Sequence, residues 1–169
     1  MWDRGESTEH QHRVDEFMRL AKQERPSKPT MPSKEVRVLR AKLILEEALE
    51  TIEALGVKVT SLAEHLPDRD VYAEVSVDWM KTPGIYFEAS GEPDLTEIVD
   101  GCCDIIVVTT GTLSACGVDD AVPQMLVDEN NLAKFGPGHS YRADGKLVKP
   151  PNHKAPDLKA ELERQSKIG

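Results

Sequence analysis

Apolar residues recur at helical spacing over three long stretches of the chain and alternate with polar ones over one short stretch. Val14, Phe17, Met18 and Ala21 stand three and four apart, which predicts a first helix from Ser7 or His10 to Gln23. Pro26, Pro29 and Pro32 then deny backbone donors and force extended geometry. Val36, Leu39, Leu43, Leu45, Leu49, Ile52 and Leu55 predict a second helix, with Ser33 as its N-cap and Gly56 as its stop. A third begins at Asp94, where Glu97 has the spacing of a capping box, and runs on through the apolar stretch Ile105 to Cys116. Asp119 or Asp120 caps a fourth, whose stripe is Met125, Leu126, Leu132 and Phe135. Pro156 to Ser166 gives a short charged helix with little apolar face, free to float or to swap onto a partner.

The stretch between the second and third helices is different. Residues 57–67 predict a short helix ended by Pro67. Val71, Ala73, Val75 and Val77 alternate with polar positions, as a strand requires. Lys81-Thr82-Pro83-Gly84 is a turn signal, and Ile85-Tyr86-Phe87 can return as a second strand. Trp79, Tyr86 and Phe87 make this excursion aromatic, for packing over the helices or for covering a ligand. Residues 1–12 are polar and expected to fray; His10 and His12 are spaced like a metal pair on a strand, but nothing near them supports a site. Residues 136–157 are rich in Gly and Pro, with Ala143-Asp144-Gly145-Lys146 as a tight turn.

Two of the helices carry acid inside apolar sequence. The second holds Glu46, Glu47 and Glu50; the third holds Glu97, Asp100 and Asp104. Carboxylates three and four apart share a helix face and repel. At about 100° per residue, Glu46, Glu50 and Glu53 form a narrow stripe with Glu47 to one side. Asp104 adjoins Ile105 and Ile106, so its surroundings are expected to be buried, where an unpaired carboxylate is costly. A hard divalent cation with oxygen ligands is the simplest compensation. Gly101 lies on the same face, leaving room for a ligand or for close helix packing.

The chain has 169 residues and a net charge of −9, from 21 basic and 30 acidic residues. That length fits one domain, and the acidity argues against a nucleic-acid polymer as partner. Cys102, Cys103 and Cys116 form neither a disulfide framework nor a zinc spacing, and are expected to be buried small hydrophobes in a reducing cytoplasm. With no signal peptide and no eighteen-residue apolar run, the expected place is the cytoplasm, away from any membrane. Six carboxylates suffice for two or three Mg²⁺ or Mn²⁺ ions, and two such ions can clamp an in-line phosphoryl displacement. Asn131 and Lys134 share a face of the fourth helix, where Lys134 can meet a phosphate or the helix dipole.

Glu47-x-x-Glu50 with Glu97-x-x-Asp100 on paired helices resembles the MazG-like all-α nucleoside triphosphate pyrophosphohydrolases, over residues 14–135. The stretch from Asn131 to Pro156, with Tyr-Arg-x-Asp-Gly-Lys, looks like the C-terminal extension of members near the phosphoribosyl-ATP pyrophosphohydrolase group. The resemblance implies an all-α bundle of four to five helices with a small hairpin or extended insertion and an irregular extension at 136–169. It implies cleavage between the α and β phosphates, giving a nucleoside monophosphate and pyrophosphate. By it, Glu47, Glu50, Glu97 and Asp100 hold Mg²⁺ or Mn²⁺, Glu46 orients or deprotonates the water, and Asn131, Lys134 and Arg142 meet phosphate or sugar. It also implies a homodimer or a tetramer. Similarity to phage MazZ-type members points to purine nucleotides, dGTP among them. The gap from Glu50 to Glu97 is longer than the family's usual one, so the insertion is a feature of this chain. Three other readings remain: phosphoribosyl-ATP as substrate, a silent metal-binding helical module, and a structural bundle whose acidic residues are solvated faces.

Overall fold

The computed structural model describes residues 7–61, 85–135, 138–143 and 145–168. Among these are five helices: α1 (Glu9–Leu20), α2 (Lys34–Ala54), α3 (Leu95–Ala115), α4 (Ala121–Leu132) and α5 (Leu158–Ile168). Two small antiparallel pairs accompany them, β1 (Val57–Ser61) with β2 (Ile85–Ala89), and β3 (Ser140–Tyr141) with β4 (Leu147–Val148). The architecture is all-α with a hairpin insertion and an irregular C-terminal region, as the pattern predicts. The chain divides into two compact units, one of residues 1–40 and 109–169 and one of residues 41–108.

In the first unit, α1 begins earlier and more firmly than expected. Thr8 caps it by accepting the Gln11 N–H at 3.1 Å, so residues 7–12 are not a frayed tail. Gln11 is wholly buried, beside Val14 and Met18. The helix stops before the prolines, at Lys22, whose left-handed φ of 57° turns the chain. Ahead of α4, the turn Val118–Asp120 is held by two glutamines. The Gln11 side chain donates to the Val118 carbonyl at 2.8 Å and accepts the Asp120 N–H at 2.9 Å. Gln165 on α5 accepts the Asp119 N–H at 2.9 Å and donates to its carbonyl at 3.1 Å. Thus α5 neither floats nor relies on an apolar face; Glu161 and Gln165 are its buried residues.

Neither Asp119 nor Asp120 acts as the expected cap of α4. Asp120 stands at the cap position without a side-chain cap bond, and its carboxylate accepts the Thr8 N–H and hydroxyl, each at 2.7 Å. Asp119 accepts the Ser7 hydroxyl at 2.9 Å and Arg25 Nη2 at 2.7 Å. The stripe expected on α4 is exposed at Met125, Leu132 and Phe135, and the helix has no buried residue.

The second unit holds the C-terminal part of α2, the β1–β2 pair and the N-terminal part of α3. Residues 57–61 are a strand rather than the expected helix, because they pair from Val57–Ala89 to Ser61–Ile85. Local pattern cannot foresee a partner so distant in sequence. The expected return strand at Ile85-Tyr86-Phe87 is therefore present with a different partner. The predicted strand at residues 71–77, the turn at 81–84 and Trp79 lie outside the described residues. Gly56 stops α2 in the left-handed region, and a Cβ there would come within 2.6 Å of the Gly91 carbonyl oxygen.

Candidate active site

The two acidic helices approach each other at Thr51 and Gly101. A Cβ on Gly101 would stand 2.4 Å from Thr51 Oγ1 and 3.2 Å from its Cα. Gly101 is thus required by close helix packing, which decides between the two roles open to it. Thr51 is buried and turns its hydroxyl inward, donating to the Glu47 carbonyl at 2.7 Å. This crossing leaves the carboxylates one turn to either side facing a shared space. The result is a concavity of about 420 Å³ lined by Glu50, Glu53, Glu97, Gly101, Asp100 and Asp104.

The rival structural role of Glu97 can be judged directly. Asp94 caps α3, its Oδ1 accepting the Thr96 and Glu97 N–H groups at 2.8 and 3.3 Å. In a complete capping box the Glu97 carboxylate would accept the Asp94 N–H. That N–H donates instead to the Ala54 carbonyl, 3.0 Å away. The Glu97 side chain is left to the concavity.

Glu47 stands beside this space, half-buried. Burial holds its carboxyl above the usual range, and the negative charges of Asp104, Glu50, Glu46 and Asp100 push it further up. No positive charge among the described residues acts on Glu47 to offset them. None of Glu46, Glu47, Glu50, Glu97, Asp100 or Asp104 forms an ion pair with a described Lys or Arg.

The helices bring Glu50, Glu97 and Asp100 into one cavity, with Glu47 and Glu46 close enough to raise or feel its charge. Two acids add to that set. Asp104 lines the cavity, and Glu53 does too, where the stripe through Glu46 and Glu50 already pointed. Asp104 is half-buried rather than enclosed, since the apolar residues next to it include the exposed Ile106. Cys102 and Cys103 are exposed, not buried, because α3 is apolar on more faces than its neighbours here cover. Cys116 is half-buried, and burial raises its thiol. Asn131, Lys134 and Arg142 belong to the first unit; there Lys134 Nζ donates to Asn131 Oδ1 at 2.5 Å, and the Arg142 N–H to the Lys146 carbonyl at 2.8 Å.

A family model matches residues 14–129, and it describes phosphoribosyl-ATP pyrophosphohydrolase. The chain belongs to the phosphoribosyl-ATP pyrophosphohydrolase family. It is accordingly a pyrophosphohydrolase of nucleotides, and the matched span contains both acidic helices. No curated protein matches the chain.

Helix α3 is long and apolar enough to cross a membrane, so an eighteen-residue apolar stretch does exist. Yet Glu97, Asp100 and Asp104 stand on it, and carboxylates are expensive in lipid.

Proposed function

We propose that the chain hydrolyses nucleoside triphosphates between the α and β phosphates, releasing a nucleoside monophosphate and pyrophosphate. The observation that carries this reading is the uncompensated acid of the α2–α3 crossing, where every named neighbour pushes Glu47 up. A polyphosphate cannot enter such a field unless cations accompany it.

The donor set fits Mg²⁺ or Mn²⁺. All candidate ligands are carboxylate oxygens, as hard cations prefer, and no described cation neutralises them. Among the described residues no three acids, histidines or cysteines converge on one point. Glu47, Glu50, Glu97 and Asp100 would hold two to three ions. Such ions, when bound, neutralise charge on the attacking and leaving oxygens. Glu46 is exposed on the same helix as Glu47 and orients the attacking water, taking its proton. The roles given to Asn131, Lys134 and Arg142 rest on the resemblance alone.

The preferred substrates are purine triphosphates, with dGTP the first to test. The name of the matching family model favours a second substrate, phosphoribosyl-ATP. The active form is a homodimer or tetramer, supported by the exposed Leu45, Leu49, Val99 and Ile106 on the acidic helices.

Pyrophosphate release across the ribo- and deoxyribonucleoside triphosphates and phosphoribosyl-ATP, with Mg²⁺ or Mn²⁺, tests the reading. Metal-dependent release from a purine triphosphate is expected. Release from phosphoribosyl-ATP alone would move the assignment to that substrate, and release from none would leave a silent metal-binding module.

A further inference from the structure

A second cavity, of about 430 Å³, adjoins the acidic one in the same unit. Glu53 lines both. Its other walls come from the end of α2 and from the hairpin, through Leu49, Ile52, Val57, Lys58 and Ser90. We propose that this hairpin-lined cavity receives the nucleoside, base and sugar together, of the nucleotide whose phosphates lie at the acidic face. The proposal rests on the reading of that face given above.

Size and chemistry both fit. Small-molecule sites occupy roughly 300 to 1,000 Å³ and combine apolar walls with a few placed polar groups. Here Leu49, Ile52 and Val57 offer apolar surface to a base or a sugar ring. Glu53 as a carboxylate only accepts hydrogen bonds, so its ligand must bring donors. Sugar hydroxyls and the N–H groups of a base edge are such donors. Ser90 serves as donor or acceptor. Glu53 is the one carboxylate lining this cavity among the described residues, too few to hold the cations a phosphate needs, which leaves the nucleoside end of the substrate as the occupant.

Among the described residues Lys58 is the one cation lining either cavity. It sits opposite Glu88 in the β1–β2 register and is exposed. It lines the same cavity as Glu53, where a cation suits the α-phosphate end of the ligand. The tight Gly56–Gly91 contact closes the base of the hairpin, the Gly91 N–H donating to the Gly56 carbonyl at 2.9 Å. The cavity wall is therefore fixed to the end of α2, about one turn beyond Glu53. Residues 57–59 and 90–91, from the two described ends of the long gap between the acidic motifs, build the wall that the nucleoside meets.

The test uses the full-length protein and two readouts. Deoxyguanosine and deoxyadenosine 5′-monophosphates are titrated into ¹⁵N-labelled protein, and triphosphate turnover is compared with that of inorganic tripolyphosphate, which has no nucleoside. The expected result is amide shifts at Val57, Lys58 and Gly91 that Ser90→Trp abolishes. Ser90→Trp and Lys58→Glu, both at exposed positions, should lower kcat/KM for nucleoside triphosphates relative to tripolyphosphate at least tenfold, as KM rather than kcat. A far-UV spectrum and melting curve for each variant separate this from misfolding. Turnover of triphosphates with no shift at those amides, in wild type, overturns the subsite and leaves the acidic face intact. Shifts there without turnover of any nucleotide would overturn the acidic face and leave the subsite standing. Unchanged turnover ratios in two folded variants also overturn the subsite.

Discussion

The two units of this protein treat carboxylates in opposite ways. In the first, buried acid is matched. Arg25, whose side chain is only 6% exposed, stands between Asp15 at 3.2 Å and Asp119 at 2.7 Å. Asp120 holds the start of α1, and Glu161 pairs with Arg164 at 2.7 Å. In the second, six carboxylates on two crossing helices find no described cation, and Glu47 is pushed up by all its named neighbours. Acid in the first unit supports the fold. Acid in the second costs the fold something and is kept for a ligand. The contrast teaches that carboxylates must be judged by what lies opposite them, not by how many there are.

The sharpest separation comes from removing one charged group from each unit's arrangement. Glu50→Gln should reduce pyrophosphate release by about three orders of magnitude, or about 4 kcal/mol of transition-state stabilisation. The same change should leave the metal-free melting temperature unchanged or raised, because it relieves repulsion. Steady-state kinetics beside differential scanning calorimetry reads both. Equal loss of stability and activity would mean that Glu50 supports the fold.

Arg25→Ala should do the reverse in kind. Removing one partner of a buried ionic group leaves its carboxylates uncompensated, at a cost of about 3 to 5 kcal/mol. Urea unfolding should show that loss. A variant as stable as wild type would show that Asp15 and Asp119 do not depend on Arg25.

Gly101→Ala tests the crossing itself. The added methyl meets Thr51 Oγ1 and backbone, so overpacking should cost about 1 to 3 kcal/mol and lower turnover by parting the acidic helices. Thr51→Ala in the same chain should restore part of both, since it removes the nearest atom. No rescue would place the damage elsewhere.

The smallest effect is on pH. Glu47 has a folded pKa above its ordinary 4.5, so the folded protein binds more protons than the unfolded chain just above that value. Its contribution to stability is complete below 4.5 and is lost as pH rises through the folded pKa. Glu161 has the opposite sign: hydrogen bonding to Arg164 holds it below 4.5, so its contribution is present above that value and lost as pH falls through the lowered one. Melting curves of metal-free protein from acid to neutral pH, for wild type and Glu47→Gln, should differ in the first window alone.

Much of this was legible in the sequence, for physical reasons. Caps, stops and helical spacing are local, so α2 and α3 emerged with Ser33, Gly56 and Asp94 in their expected roles. The acidic motifs were visible because like charges at helical spacing need an explanation. The misses were non-local. Val57–Ser61 reads as helix until its partner strand is known. Asp119 and Asp120 read as caps until Ser7, Thr8 and Arg25 arrive from elsewhere in the chain. Glu53 was visible as part of the stripe with Glu46 and Glu50, but sequence cannot say where a stripe stops facing a cavity.

Unfolding of wild-type protein and of Asp100→Asn over a Mn²⁺ titration, with bound ions counted by electron paramagnetic resonance, bears most directly on the acidic crossing. Wild type should bind at least two ions and gain about 2.7 kcal/mol at one hundred times the dissociation constant, and Asp100→Asn should lose both. Millimolar Mn²⁺ that neither binds nor shifts the wild-type transition would contradict the account.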